Sequence, residues 1–220
     1  AIIETSPKTH LFRQAGPERL EVVSSVGGSA KRMAMALGVD ENEVSREYER
    51  RMANPQGVVE IPSIDAPVHA VKITGEDVDL TRLAFHPQHV HDGSVYISCG
   101  LDFSIDPETG LSNFGSRRLS LRNRNQTGTN VTAPSDLKRI YKKRVAKGEK
   151  HPISFALGSG LLDFLASGLR IAGNEVELIG TLRGEAVPLV KCLTNDIFVT
   201  ADAEIILEGY LDERGYVEPE

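Results

Sequence analysis

The sequence predicts an α+β fold, with a small N-terminal α/β domain over residues 1–70 followed by a β-rich domain over 71–220. Three observations carry that expectation. Two early stretches, 29–37 and 42–52, read as helices. A Pro-rich passage between Pro55 and Pro67 then breaks the pattern, as domain boundaries do. From Val71 onward, short runs alternate apolar and polar residues with the period of two of a half-buried strand. Short strands with few helices favour a barrel or a sandwich.

In chain order, residues 20–24 form a short strand. The helix over 29–37 stops at Gly38, a residue that tolerates the left-handed C-terminal conformation. In the helix over 42–52, Glu43, Glu47 and Arg51, with Arg46 and Arg50, make a charged face with i,i+4 pairing. Both helices are expected to pack rather than to act. Residues 94–100 alternate with Ser94, Tyr96 and Ser98 on one face, and 101–105 carry the strand to an Asp106-Pro107 turn. Residues 113–123 return as its hairpin partner. Leu137, Ile140, Tyr141 and Val145 recur at helical spacing, with Pro134 and Asp136 in the first turn and Gly148 as the stop. Residues 151–158 read as a buried strand and 160–169 as a short apolar helix. Residues 175–182 alternate again and read as a strand with Glu175 and Glu177 on its wet side, and 187–193, 196–199 and 203–211 complete the series.

Composition narrows the function classes. A formal charge of −6 over 220 residues argues against sequence-independent binding of nucleic acid, which needs a basic face, and against anionic membrane surfaces. Cys99 and Cys192 lie far apart, so free thiols in a reducing, cytoplasmic setting are expected. No run of 18 apolar residues and no signal-peptide pattern is present. The chain opens at Ala1 without Met and ends at Glu218-Pro219-Glu220, and both ends are expected to continue into something longer.

The stretch that invites chemistry runs from Ser112 to Leu121. Arg117, Leu119 and Leu121 point one way along it, and Ser116, Arg118, Ser120 and Arg122 the other. An amide at the strand's mouth, Asn113, with an arginine five residues further in, suits an anion and its counter-ion. The same pattern also fits an ordinary strand with a solvated arginine face. His86, His89 and His91 invite a zinc reading, but no nearby Cys pair completes four ligands, and a His-rich loop is expected instead. Asp136 by itself is explained by the helix dipole. No Walker loop and no G-x-G-x-x-G occurs.

Residues 113–118, 189–197 and 203–209, with 78–83 and 92–97, together resemble the UbiD family of reversible (de)carboxylases, which includes ferulic acid decarboxylases. The resemblance implies that the second domain is a split β-barrel of the FMN-binding kind, that it binds prenylated FMN, and that the family's C-terminal domain is absent from these 220 residues. It further implies a divalent metal, Mn²⁺ or Mg²⁺, with K⁺ as an additional ion. The metal ligands would be Asn113, Glu175 and Asp136, the last standing where the family has histidine. A carboxylate for an imidazole still makes a hard-cation site. Arg118 matches the catalytic arginine and Glu220 the first of two catalytic glutamates. Ser98, Asn113, Ser116, Arg117, Arg118, Ser135 and Ser167 are the implied cofactor contacts. The implied reaction is non-oxidative decarboxylation of an aromatic, heteroaromatic or α,β-unsaturated acid. A flavin prenyltransferase would supply the cofactor, and the protein would be a homo-oligomer or be completed by a separate C-terminal chain. Two other readings stay open: a non-catalytic cofactor- or partner-binding fragment, and a split-barrel flavoprotein using ordinary FMN for redox work.

Overall fold

The computed structural model describes residues 8–131 and 134–214. The chain opens with an antiparallel hairpin, β1 (His10–Ala15) and β2 (Leu20–Ser24), in which Leu11 lies opposite Val23. Helix α1 (Ala30–Leu37) begins at Ser29, whose hydroxyl accepts from Arg32 N–H, and ends at Gly38 with φ of 74°. A 3-10 turn over Glu41–Glu43 leads into α2 (Val44–Met52). The expected pairing along this helix is present, since Glu47 accepts from both Arg50 and Arg51 at 2.7 Å. Arg51 does more than pair. Its guanidinium also donates to the carbonyls of Leu37 (2.8 Å) and Arg183 (3.0 Å), and to that of Leu182. One cation thus satisfies the C-terminal carbonyls of two helices, where orphan acceptors and the negative dipole end coincide.

Short β3 (Val58–Glu60) follows. Between it and the next strand the chain runs through four 3-10 turns rather than strands, and the only bridge outside the named strands joins His86 to Tyr96 among the described residues. The proline and glycine content of 62–75 favours such turns over a ladder. The main sheet is then built from β4 (Tyr96–Ile105), β5 (Ser112–Asn123), β6 (Gln126–Thr129), β7 (His151–Leu157) and, last in the chain, Ile205–Leu211. Before that last strand come α3 (Asp136–Val145), α4 (Leu161–Ala166), α5 (Glu177–Arg183), β8 (Val187–Lys191) and β9 (Phe198–Thr200), so it is β10. The sheet order is β10-β7-β4-β5-β6, all antiparallel. A second sheet, β3-β8-β9, pairs β3 parallel to β8, so the strands tie residues before position 70 to residues after it.

A bulge at Ser98 and Cys99, where Cys99 has φ of 56°, shifts the β4–β5 register. It turns Ile97 and Leu101 to opposite faces, which strict alternation would forbid. On one face Leu101, Phe103, Phe114 and Ala156 pack with α5, β8 and β9, and the rings of Phe103 and Phe114 lie 5.0 Å apart. On the other, Ile97, Leu119, Ile153, Phe155 and Leu157 pack against Leu137 of α3.

One element differs in kind from expectation. Residues 177–183 are helical, not a strand, and Glu175 stands just before the helix. Leu178, Ile179, Gly180, Thr181 and Leu182 are all buried, so the helix has no polar stripe from which its period could be read. Gly180 is required there, because a Cβ would lie 2.6 Å from the Gly57 carbonyl oxygen. Among the described residues, no helix is long and apolar enough to cross a membrane.

Candidate functional site

The site is organised by an unpaired strand edge. On the β6 side, β5 is paired only from Leu119 to Asn123, which leaves the backbone groups of its first half facing outward. Glu175 covers that edge. Its Oε2 accepts from the Phe114 N–H at 2.9 Å and from the Asn113 amide at 2.7 Å, while its own N–H donates to the Ser112 carbonyl at 3.4 Å. The carboxylate is buried, so these charge-assisted bonds are strong. Both side-chain contacts fall on Oε2. Oε1 and the amide oxygen of Asn113 take no part in the clasp.

Further along β5 the two arginines diverge, as alternation requires. Arg118 lies on the face that carries Tyr96, its guanidinium carbon 4.7 Å from the ring centroid, a cation–π contact. Ser116 shares that face and is exposed. Arg117 points to the opposite face. Its Nε lies 3.2 Å from Oδ1 of Asp102, its NH1 donates to the Asn130 carbonyl at 3.2 Å, and its NH2 reaches the Ser135 hydroxyl at 3.4 Å. Asp102 is completely buried in the middle of β4, and its contact with Nε is an ion pair without hydrogen-bond geometry. Burial pushes the Asp102 carboxyl up to about 6 against the opposing pull of Arg117.

Ser135 caps α3, accepting from the Lys138 N–H at 3.2 Å, and Asp136 is the first helical residue. The Asp136 carboxylate is about half exposed and lies 3.4 Å from Nε of Arg139, which also donates to Asp106 at 2.9 Å. The fold therefore brings Asn113 and Glu175 into contact, and sets Ser135 against Arg117. The bonds of Asp136 run to Arg139 and not to the Asn113–Glu175 pair. Among the described residues, no three His, Cys, Asp or Glu side chains gather as a metal site. Ser98 is exposed in the bulge of β4. Ser167 ends α4, and its hydroxyl donates to the Phe164 carbonyl at 2.6 Å. Glu220 lies outside the described residues. In the histidine loop, Asp92 accepts from the backbone N–H groups of Gln88 and His89, which accounts for the turn.

Two residues of the site escaped the sequence reading. Tyr96 was visible as one face of a strand, but its partner Arg118 is far away in sequence. Asp102 carried no signal either, because the alternation of Leu101, Phe103 and Ile105 puts it with Ser104 on what reads as a polar face, and its place opposite Gly115 comes from the fold.

Comparison with known proteins gives a UbiD domain, decarboxylases and UbiD-class structures. The 3-octaprenyl-4-hydroxybenzoate carboxy-lyase Rift-related domain of UbiD matches residues 59–220. Ferulic acid decarboxylase 1 of Candida dubliniensis is 31% identical over 197 residues, covering 84% of this chain and 38% of that protein. Anhydromevalonate phosphate decarboxylase of Methanosarcina mazei is 29% identical over 199 residues, covering 90% of this chain and 45% of that protein. Among solved structures, an evolved dimeric form of the UbiD-class enzyme HmfF from Pelotomaculum thermopropionicum, in complex with prFMN, superposes with a TM-score of 0.85. It is 27% identical, and the match covers 92% of this chain and 48% of that one. The chain thus spans less than half the length of these relatives. The domain match takes in well over half of the 220 residues, including every strand of the main sheet, and by it the chain belongs to the UbiD family.

Proposed function

We propose that this chain forms the cofactor-binding part of a decarboxylase for an aromatic, heteroaromatic or α,β-unsaturated acid, with prenylated FMN and a divalent cation as its cofactors. The observation that supports this most is the clasp of Glu175 on Asn113 and the β5 edge. It leaves two hard oxygens, Asn113 Oδ1 and Glu175 Oε1, of the type that Mn²⁺ and Mg²⁺ prefer. Asp136 would supply a third by turning from Arg139, a small cost for a half-exposed pair. Ser116, Arg117 and Ser135 would line the phosphate end of the flavin, with Ser98 and Ser167 as outer contacts and K⁺ as a further ion.

When bound, prenylated FMN supplies the electron sink that a carbanion at an sp² carbon lacks. The chain's own residues do the rest. Arg118, steadied over Tyr96, would hold the substrate carboxylate through its planar fork of donors. Glu220 would deliver the proton to the carbon that loses carbon dioxide. A flavin prenyltransferase would supply the cofactor. The two sheets would form the split barrel, and the assembly would be a homo-oligomer or be completed by a C-terminal domain. In a second reading the unit binds cofactor but turns over only when completed; the matches span 38% and 45% of the two curated relatives.

Co-expression with a flavin prenyltransferase tests the proposal. Prenylated FMN identified by mass, together with release of carbon dioxide from an unsaturated acid, is expected. Bound cofactor without turnover would favour the second reading. Unmodified FMN reduced by a nicotinamide would overturn both in favour of a redox flavoprotein.

A further inference from the structure

We propose that Asp102 is a positioning residue that, through Arg117, fixes the start of α3 beside the open edge of β5. The inference rests on the reading of that edge as the cofactor site. A carboxylate with no exposed surface and no well-formed hydrogen bond is costly in the middle of a strand, and an apolar residue would pack there at less cost. The room for it comes from Gly115 across the ladder, where a Cβ would stand 3.2 Å from Asp102 Oδ1. What the buried charge achieves is the direction of Arg117. With Nε drawn inward, the two terminal nitrogens of the same planar group face outward and reach two points, the Asn130 carbonyl and the Ser135 hydroxyl. Ser135 is the cap from which α3 grows, and Asp136 is the next residue. A single guanidinium therefore spans from the sheet interior to the helix that carries two of the proposed cofactor and metal contacts. A lysine keeps the charge but cannot make both outer contacts at once.

The test compares Arg117→Lys and Asp102→Asn with the parent protein by two readouts. The first needs no flavin: hydrogen exchange of the Lys138 and Arg139 amides, which are held by Ser135. The second is the dissociation constant for FMN, read by fluorescence. Both variants are expected to exchange these two amides about tenfold faster, and to bind FMN about tenfold more weakly, a change of about 1.4 kcal/mol. Amides of β7 should keep their protection, and the urea midpoint should not fall. A merely structural role would move the midpoint and β7 together with α3, and that result overturns the proposal. So does unchanged exchange at Lys138 and Arg139, or faster exchange with unaltered FMN affinity. Should Asp102→Asn fail to fold, Arg117→Lys, whose side chain lies partly in solvent, decides alone. Should the parent protein bind no FMN, the reading of the cofactor site fails instead, and the exchange result still settles whether Arg117 holds α3.

Discussion

Replacing Glu175 by glutamine probes the clasp directly. The carboxylate oxygen Oε2 takes two N–H groups, at 2.7 and 2.9 Å, in a buried setting. A bond to a charged acceptor contributes roughly 1.5–3 kcal/mol and a neutral one roughly 0.5–1.5, so neutralising the acceptor of two such bonds costs about 2 kcal/mol. Glutamine can keep both bonds only with its oxygen in the Oε2 place. Its NH₂ then occupies the Oε1 place, where it offers hydrogens to a cation instead of a lone pair. Glu175→Gln is therefore expected to stay folded, to lose about 2 kcal/mol in urea unfolding by linear extrapolation, and to lose the proposed divalent metal by elemental analysis. Glu175→Ala is expected to cost more, because the Phe114 N–H is then left without an acceptor at a covered edge. If the glutamine variant unfolds at the parent midpoint and keeps its metal, the clasp is not a ligand site and the geometric argument fails.

Arg118→Ala should abolish carbon dioxide release while leaving flavin content intact, whereas Tyr96→Leu should lower turnover only a few-fold, in line with about 1 kcal/mol for the cation–π contact it removes. Asp136→His is expected to keep or raise metal occupancy, and a clear loss in elemental analysis would remove Asp136 from the ligand set. Arg51→Ala should cost about 3 kcal/mol in urea unfolding, since it strips the C-terminal carbonyls of α1 and α5 of their donor at once. Asp102 gives a pH signature with a definite sign. Its folded value, about 6, lies above the ordinary aspartate value of 3.8, so its contribution is fully present below pH 3.8 and is lost as pH rises through about 6. The shift corresponds to about 3 kcal/mol, and a pH series of urea midpoints should show that this decline is missing in Asp102→Asn.

The legible parts of the fold were those specified locally. The β4–β5 hairpin announces itself by alternation on both sides of an Asp-Pro turn, and α1 by its stop at Gly38. Helix α5 did not, because a helix buried all round has no period to read, and the two glutamates read as the wet side of a strand stand at its start, Glu175 buried and Glu177 only partly exposed. The site divides along the same line. Arg117 and Arg118 follow from strand parity. The contact of Asn113 with Glu175 spans 62 residues and no local pattern encodes it; only the family resemblance put the two together. Asp102 and Arg51 were visible as charges, but their roles depend on partners brought in by the fold.

The acids around the β5 edge are distributed so that each has its own counter-group. Asp102 faces Arg117, Asp136 faces Arg139, and Glu175 faces two N–H donors rather than a cation. A phosphate with its metal can approach such a cluster without meeting three uncompensated negative charges, which is the objection that a carboxylate at position 136 raises. The compensation is unequal, however. The Asp102 pair is buried and fixed, whereas the Asp136 pair is half exposed and worth little, so Asp136 is the acid that can exchange its arginine for a cation. Arg139 is not stranded by that exchange, because it keeps Asp106 at 2.9 Å. It follows that Arg139→Gln should raise metal affinity by freeing Asp136, whereas Arg117→Gln should lower flavin affinity by freeing Ser135. Opposite signs from two arginines on the same side of the sheet would be hard to obtain from a general loss of positive charge.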